Sequence, residues 1–269
     1  MVSSSKLLGA VAAAGLALGA VSGSAAADDK FGYSWTITGA SDYLFRGISY
    51  TQTDPTVNSY LEFTYDTSSA FGTAYVAFWT SNIDIPDYAG PAEQDIYFGI
   101  RPSTGPINWD LAAMWYIYAA EGVFDWDDID YWEFKVAASW ELVKNLTISG
   151  AVYYTPDQDV ASPENISVEG GVAYTLPDVW IFTPTVTGQV GFSSAEDSAF
   201  YDDDPGTALV FGYWNGAQEY TYWNAGVKLA VEKWTFDLRY WDTDISEAEA
   251  LTFDNSDSRF FFSAAITLP

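Results

Sequence analysis

The chain has 269 residues, with 10 lysines and arginines against 37 aspartates and glutamates, and a formal charge of −27. So acidic a surface repels nucleic-acid phosphates and anionic lipid and draws cations. Cysteine and histidine are both absent, which excludes disulfides, thiolate and histidine metal sites, and Ser-His or Cys-His catalytic dyads.

The first element reads as a secretory signal peptide. Lys6 is the only charge before Asp28, residues 7–21 are apolar and small, and Ala25-Ala26-Ala27 offers an A-x-A cleavage site. The apolar run is short against the roughly 20 residues of a membrane helix; a retained anchor helix is the alternative. Cleavage after Ala27 leaves one domain over 28–269. No later segment approaches about 18 consecutive apolar residues.

Residues 33–49, YSWTITGASDYLFRGIS, alternate with period two. Trp35, Ile37, Gly39, Ser41, Tyr43 and Phe45 share one face, Thr36, Thr38, Ala40 and Asp42 the other. The pattern predicts one long strand, aromatic at both ends, as in a strand that crosses a bilayer. A second strand follows a loop through Asp54-Pro55: Val57, Leu61, Phe63 and Tyr65 alternate with Asn58, Tyr60, Glu62 and Thr64. A third, 73–81, is apolar on both faces. A fourth, 94–101, sets Ile96, Phe98 and Ile100 against Asp95, Tyr97 and Gly99.

The fifth strand sets Trp109, Leu111, Ala113, Trp115 and Ile117 against Asp110, Ala112, Met114 and Tyr116. The sixth sets Trp132, Phe134, Val136 and Trp140 against Glu133, Lys135, Ala137 and Ser139. Strands follow over 146–154, 166–175, 183–192, 220–231 and 234–241. The last, 258–268, carries Phe260, Phe262, Ala264, Ile266 and Leu268 on its apolar face. The fold class is therefore all-β, a closed antiparallel transmembrane barrel of about 12 strands.

Connections after even strands are short: 66–72, 102–106, 142–145, 176–181 and 232–233. Those after odd strands are mostly longer, the longest being 193–219 and 242–257. Most of the 37 acids lie in the odd connections, with Arg46 the only positive charge there. Asp125, Asp127, Asp128, Asp130, Asp202, Asp203 and Asp204 make an acidic mouth, assigned to the outside. A soluble sandwich also alternates, but its outward face would carry the charge, whereas here the Trp- and Phe-bearing face is nearly free of it.

At SDYLFRGIS (41–49) the sequence resembles the TorF family of outer-membrane β-barrels. FWTSNID (78–84), EQDIYFGI (93–100), YWEF (131–134) and LRYWDTDI (238–245) match in the same order. The resemblance implies an outer-membrane channel inserted by the barrel-assembly machinery and carries over no catalytic residue. One departure is the end, Leu268-Pro269, where barrels of this kind finish on an aromatic residue.

If the apolar face meets lipid and lipopolysaccharide, the alternate face lines a lumen. Its candidates are Glu62, Asp95, Asp110, Glu133, Lys135, Glu169, Lys228, Asp237, Arg239 and Arg259. A two-residue turn at Glu232-Lys233 sets Lys228 opposite Asp237, with Arg239 two residues along. Two readings stay open: wall-stiffening ion pairs, or a transverse field with Lys228, Arg239 and Lys135 facing Glu62, Glu133 and Glu169. An inward-folding loop would close the lumen, and 193–219 is the longest candidate.

DWDDID (125–130) is not an EF-hand: glycine is missing at its sixth position, Asp130, and Val136 stands where glutamate is needed. It reads as a solvated acidic loop, with loose divalent binding toward lipopolysaccharide phosphates as the alternative. SYTQTD (49–54) has no phosphate-cradling glycines. FGYWNG (211–216) reads as a loop tip or interface belt rather than a sugar-stacking surface. The expected function is passive diffusion of small hydrophilic solutes with weak cation preference. A structural or adhesive barrel acting through its acidic loops is the alternative. An enzyme is not expected, and no cofactor or metal is implied.

Overall fold

A computed structural model of the chain describes residues 30–84, 91–118, 130–158, 162, 164–195, 219–246 and 253–269. Twelve antiparallel strands form the wall: β1 Phe31–Ala40, β2 Thr56–Asp66, β3 Thr73–Asn82, β4 Ala92–Arg101, β5 Ile107–Tyr118, β6 Tyr131–Val143, β7 Leu146–Thr155, β8 Asn165–Thr175, β9 Thr183–Ala195, β10 Glu219–Val231, β11 Trp234–Thr243 and β12 Arg259–Leu268. Each pairs with its chain neighbours, and β1 closes on β12 with Trp35 opposite Leu268 and Ala40 opposite Ser263. A two-residue ladder, Ser103–Thr104, lies beside β5. Closure satisfies the edge-strand hydrogen bonds that an open sheet would leave bare in lipid.

Side-chain type sets which face points outward. Phe63, Phe78, Phe98, Phe134, Val152, Val168, Phe192, Leu238 and Phe262 are all exposed, while their strand neighbours Glu62, Ala77, Glu133, Ala151, Glu169, Ser193, Asp237 and Ser263 are buried. The wall is thus inverted relative to a soluble sandwich, its Phe-, Val- and Leu-bearing face outermost, while an apolar cluster that includes Trp79, Met114 and Phe261 packs inside. Aromatics gather at both ends of the wall. Phe31 and Tyr65 lie 4.7 Å apart at one end, and Trp115 stacks on Trp132 at 5.5 Å near the other. These are the two girdles of a lipid-facing barrel.

The five short connections fall together at one end, the turn end. In one of them Asn145 takes a positive φ, which its side chain tolerates better than most. In another, Glu232-Lys233 joins Val231 directly to its partner Trp234. At the opposite, loop end, residues 119–129 and 196–218 lie outside the described residues. So do the signal segment, FGYWNG, and six of the seven acids expected at the mouth: Asp125, Asp127, Asp128, Asp202, Asp203 and Asp204. The seventh, Asp130, accepts a hydrogen bond from the Tyr118 amide at 2.9 Å.

The strand expected over 33–49 is corrected by the structure. β1 stops at Ala40. The Ser41 amide bonds to the Phe262 carbonyl, and the chain then leaves the wall and turns into the barrel. Tyr43, Leu44, Phe45, Ile48 and Tyr50 are all buried rather than facing lipid. Leu44–Phe45 pairs with Ile48–Ser49 as a tight hairpin whose two central residues, Arg46 (φ 51°) and Gly47 (φ 86°), are left-handed. Two left-handed residues between paired strands match the twist of a hairpin, and glycine at the second carries no Cβ penalty.

Candidate functional site: the lumen and its hairpin plug

The hairpin at 42–51 is fastened to strands all round the barrel. At its base the Asp42 carboxylate accepts hydrogen bonds from the Ser49 and Thr51 hydroxyls at 2.6 and 2.8 Å, and pairs with Arg259 of β12 at 2.8 Å. Midway, the Tyr43 hydroxyl donates to Glu93 of β4 at 2.9 Å, and its ring lies 5.0 Å from Trp79 of β3. At the tip, the Arg46 guanidinium donates to Glu133 of β6 at 2.7 Å and sits 4.7 Å from the Tyr153 ring of β7. A Cβ on Gly47 would lie 2.7 Å from Cγ2 of Thr243 and 3.1 Å from Cβ of Tyr222. The segment therefore crosses the lumen and plugs its loop-end half.

Burial, and after it the charge of Glu93, holds the Tyr43 hydroxyl's pKa well above the ordinary tyrosine value. Tyr43 stays a hydrogen-bond donor well into alkaline conditions.

Around the plug the wall is rich in carboxylates and tyrosines. Besides Arg46, Glu133 accepts from the Tyr116 hydroxyl at 3.1 Å and the Thr155 hydroxyl at 3.2 Å. Glu169 accepts from Tyr222, whose ring lies across Gly191 of the neighbouring strand, where any side chain would collide with it. Asp95 accepts from Tyr97 at 2.5 Å. Glu93 and Asp95 also contact each other through their carboxyl groups, and Tyr118 and Tyr153 approach Glu93 and Glu169, respectively. Among the described residues, Arg46 is the only base within ion-pair distance of any of these four carboxylates.

The turn-end half is built differently, with charges paired wall to wall. Arg101 grips Glu62 through two hydrogen bonds of 3.0 and 2.6 Å and lies over the Tyr75 ring. Asp110 takes Lys135 at 2.8 Å and the Tyr75 hydroxyl at 2.8 Å, with Arg101 3.9 Å away. Across the barrel Arg239 holds Asp237 and the Asn224 carbonyl, each at 2.6 Å, and Asn224 donates on to Gln189. Forked contacts of this kind are geometry that lysine cannot reproduce.

All nine strand-interior candidates (Glu62, Asp95, Asp110, Glu133, Lys135, Glu169, Lys228, Asp237 and Arg239) point inward, and Arg259 sits at the loop-end rim. Lys228 does stand opposite Asp237 in register. The expected ion pair between them is absent, because Arg239, two residues from Asp237 on the same face, takes both carboxylate oxygens. The charges form local pairs rather than two facing banks. The sequence reading missed Glu93 and Arg101, although both share the inward parity of Asp95. Arg46, assigned to the odd-numbered connections, does lie in the first of them, but inside the lumen rather than at the acidic mouth. Among the described residues, no three acidic side chains converge as a metal ion would need.

A bacterial family described as of unknown function (Gcw_chp) matches residues 24–268. The chain belongs to this family. No curated relative matches it. Among solved structures, the Gcw_chp chain is similar to the NanC porin, with a TM-score of 0.54 at 10% identity over 87% of this chain and 99% of that one. It is also similar to the KdgM porin, with a TM-score of 0.52 at 4% identity over 88% and 99%. At such identities the likeness concerns the fold alone: this Gcw_chp member has the β-barrel architecture of outer-membrane porins.

Proposed function

We propose that the protein is an outer-membrane channel for passive diffusion of small hydrophilic solutes, weakly preferring cations, exported by a signal peptide cleaved after Ala27 and inserted by the barrel-assembly machinery. It is not an enzyme in this reading. The observation that carries it is the inverted wall: an apolar belt outside, and inside a lumen lined by carboxylates, guanidinium groups and tyrosines. Twelve strands enclose more room than the eight whose interior side chains fill. Porin architecture and the TorF-like motifs support the same reading. Acids outnumber bases on the inward wall, and the carboxylates around the plug would favour cations in an open lumen.

A second reading has its own support. The plug and the apolar cluster it joins describe a filled loop-end half, as a purely structural barrel would have. Planar-bilayer recording separates the two. Discrete conductance steps, with a reversal potential shifted toward cations under a salt gradient, are the expected result. Silence from the intact protein, and from a variant with residues 42–51 replaced by a short Gly-Ser link, would remove the channel reading. Steps with clear anion preference would remove the selectivity.

A further inference from the structure

Arg46 is not a wall residue, yet the wall is shaped around it. Without the hairpin, the cradle remains: Glu133 held in place by the Tyr116 and Thr155 hydroxyls, and the face of Tyr153 alongside. These groups come from β5, β6 and β7, and Glu133 is 1% exposed. A carboxylate beside an aromatic face suits a planar, weakly hydrated cation. Glu93, Asp95 and Glu169 stand buried in the same half of the lumen. The carboxylates do not converge as ligands of one metal ion would. The group that does occupy the cradle is a guanidinium, tethered through a hairpin with two left-handed residues at its tip.

We infer that the wall around Glu133 and Tyr153 is a binding site for guanidinium-bearing solutes, and that Arg46 fills it as a built-in competitor. The site rests on the channel reading only for its use, since it would give the lumen a substrate class. Binding itself needs no conduction. When the hairpin leaves, a free guanidinium compound takes the place of Arg46, donating to Glu133 and stacking on Tyr153. When the hairpin returns, it expels that solute. The exchange breaks the polar fastenings of the plug and parts Leu44, Phe45 and Ile48 from the apolar cluster they share with the wall.

The test uses the full-length barrel refolded in detergent, with methylguanidinium as the probe at concentrations far below denaturing. Isothermal titration calorimetry compares the intact protein, Arg46→Ala and Arg46→Gln. Gln keeps a polar side chain at the tip should the alanine variant fail to fold. Methylguanidinium is expected to bind both variants at least about tenfold more tightly than the intact protein, with potassium giving no heat at equal concentration. Adding Glu133→Gln to either variant should remove that gain. Equal binding to intact and variant proteins, no binding at all, or binding that survives Glu133→Gln would each overturn the assignment. A barrel that binds methylguanidinium but never conducts would keep the site and lose the channel. One that conducts without binding would do the reverse.

Discussion

The two halves of the lumen handle charge in opposite ways. In the turn-end half, Glu62, Asp110 and Asp237 are matched by Arg101, Lys135 and Arg239, all supplied by the wall. In the loop-end half the wall supplies Glu93, Asp95, Glu133 and Glu169 but, among the described residues, no base within ion-pair distance of them, and the cation arrives on a hairpin. Contacts that hold the barrel are thereby separate from contacts that close it. Ion pairs between strands can break only if the wall deforms. Those between wall and hairpin can break by displacing a short segment whose base is held by polar contacts.

The comparison can be broken most severely at Asp110. Asp110→Ala strands Lys135 and withdraws charge from Arg101, and loss of one partner of a buried pair costs about 3–5 kcal/mol. Urea unfolding of vesicle-inserted protein should show that drop with the hairpin still seated. Next in size is Gly47→Val. A β-branched residue at φ 86° against Tyr222 and Thr243 adds strain of about 1–3 kcal/mol, which the hairpin can escape by leaving. Unfolding should shift less than for Asp110→Ala while channel open time rises; a large loss of stability with silent traces would erase the distinction between the halves.

Arg101→Lys sharpens the turn-end side. It keeps the charge but loses the fork to Glu62, at about 1 kcal/mol, again in unfolding and not in gating. An effect of similar size is expected from Tyr43→Phe, which removes the hydroxyl bond to Glu93, about 0.5–1.5 kcal/mol, and should lengthen openings without altering the unfolding midpoint. The pH dependence has the same sign. With the hairpin seated, burial holds the Tyr43 pKa above its ordinary value, so its contribution to the closed state is intact below the ordinary tyrosine value of about 10 and is lost as pH climbs from there through the raised value. Alkaline solution should therefore favour opening in the intact protein, and Tyr43→Phe should blunt that trend.

Much of this was legible in the sequence because one physical rule dominates the wall. Lipid on one side and a polar lumen on the other force period two along every strand, so Trp132 and Glu133, or Leu238 and Asp237, sort themselves by type. The turns were legible for the same reason, since they lie where alternation stops. The hairpin was hidden because Tyr43 and Phe45 prolong the alternation of Trp35 and Ile37. Aromatics in a strand and aromatics in a plug look alike until their partners are known. The Arg46-Gly47 pair, a turn signal inside an apparent strand, was the one local clue. Similarly, the opposition of Lys228 and Asp237 followed from the two-residue turn, but the competition from Arg239 depends on side-chain reach within one face. That reach is invisible to a period.

Residues 42–51 are expected to close the loop-end half of a barrel that otherwise conducts. Paired planar-bilayer recordings of the intact protein and of the variant with that segment replaced by a Gly-Ser link test it directly. The variant should show larger unit conductance and longer open times with cation-shifted reversal. Identical traces from the two proteins, open or silent, would contradict it.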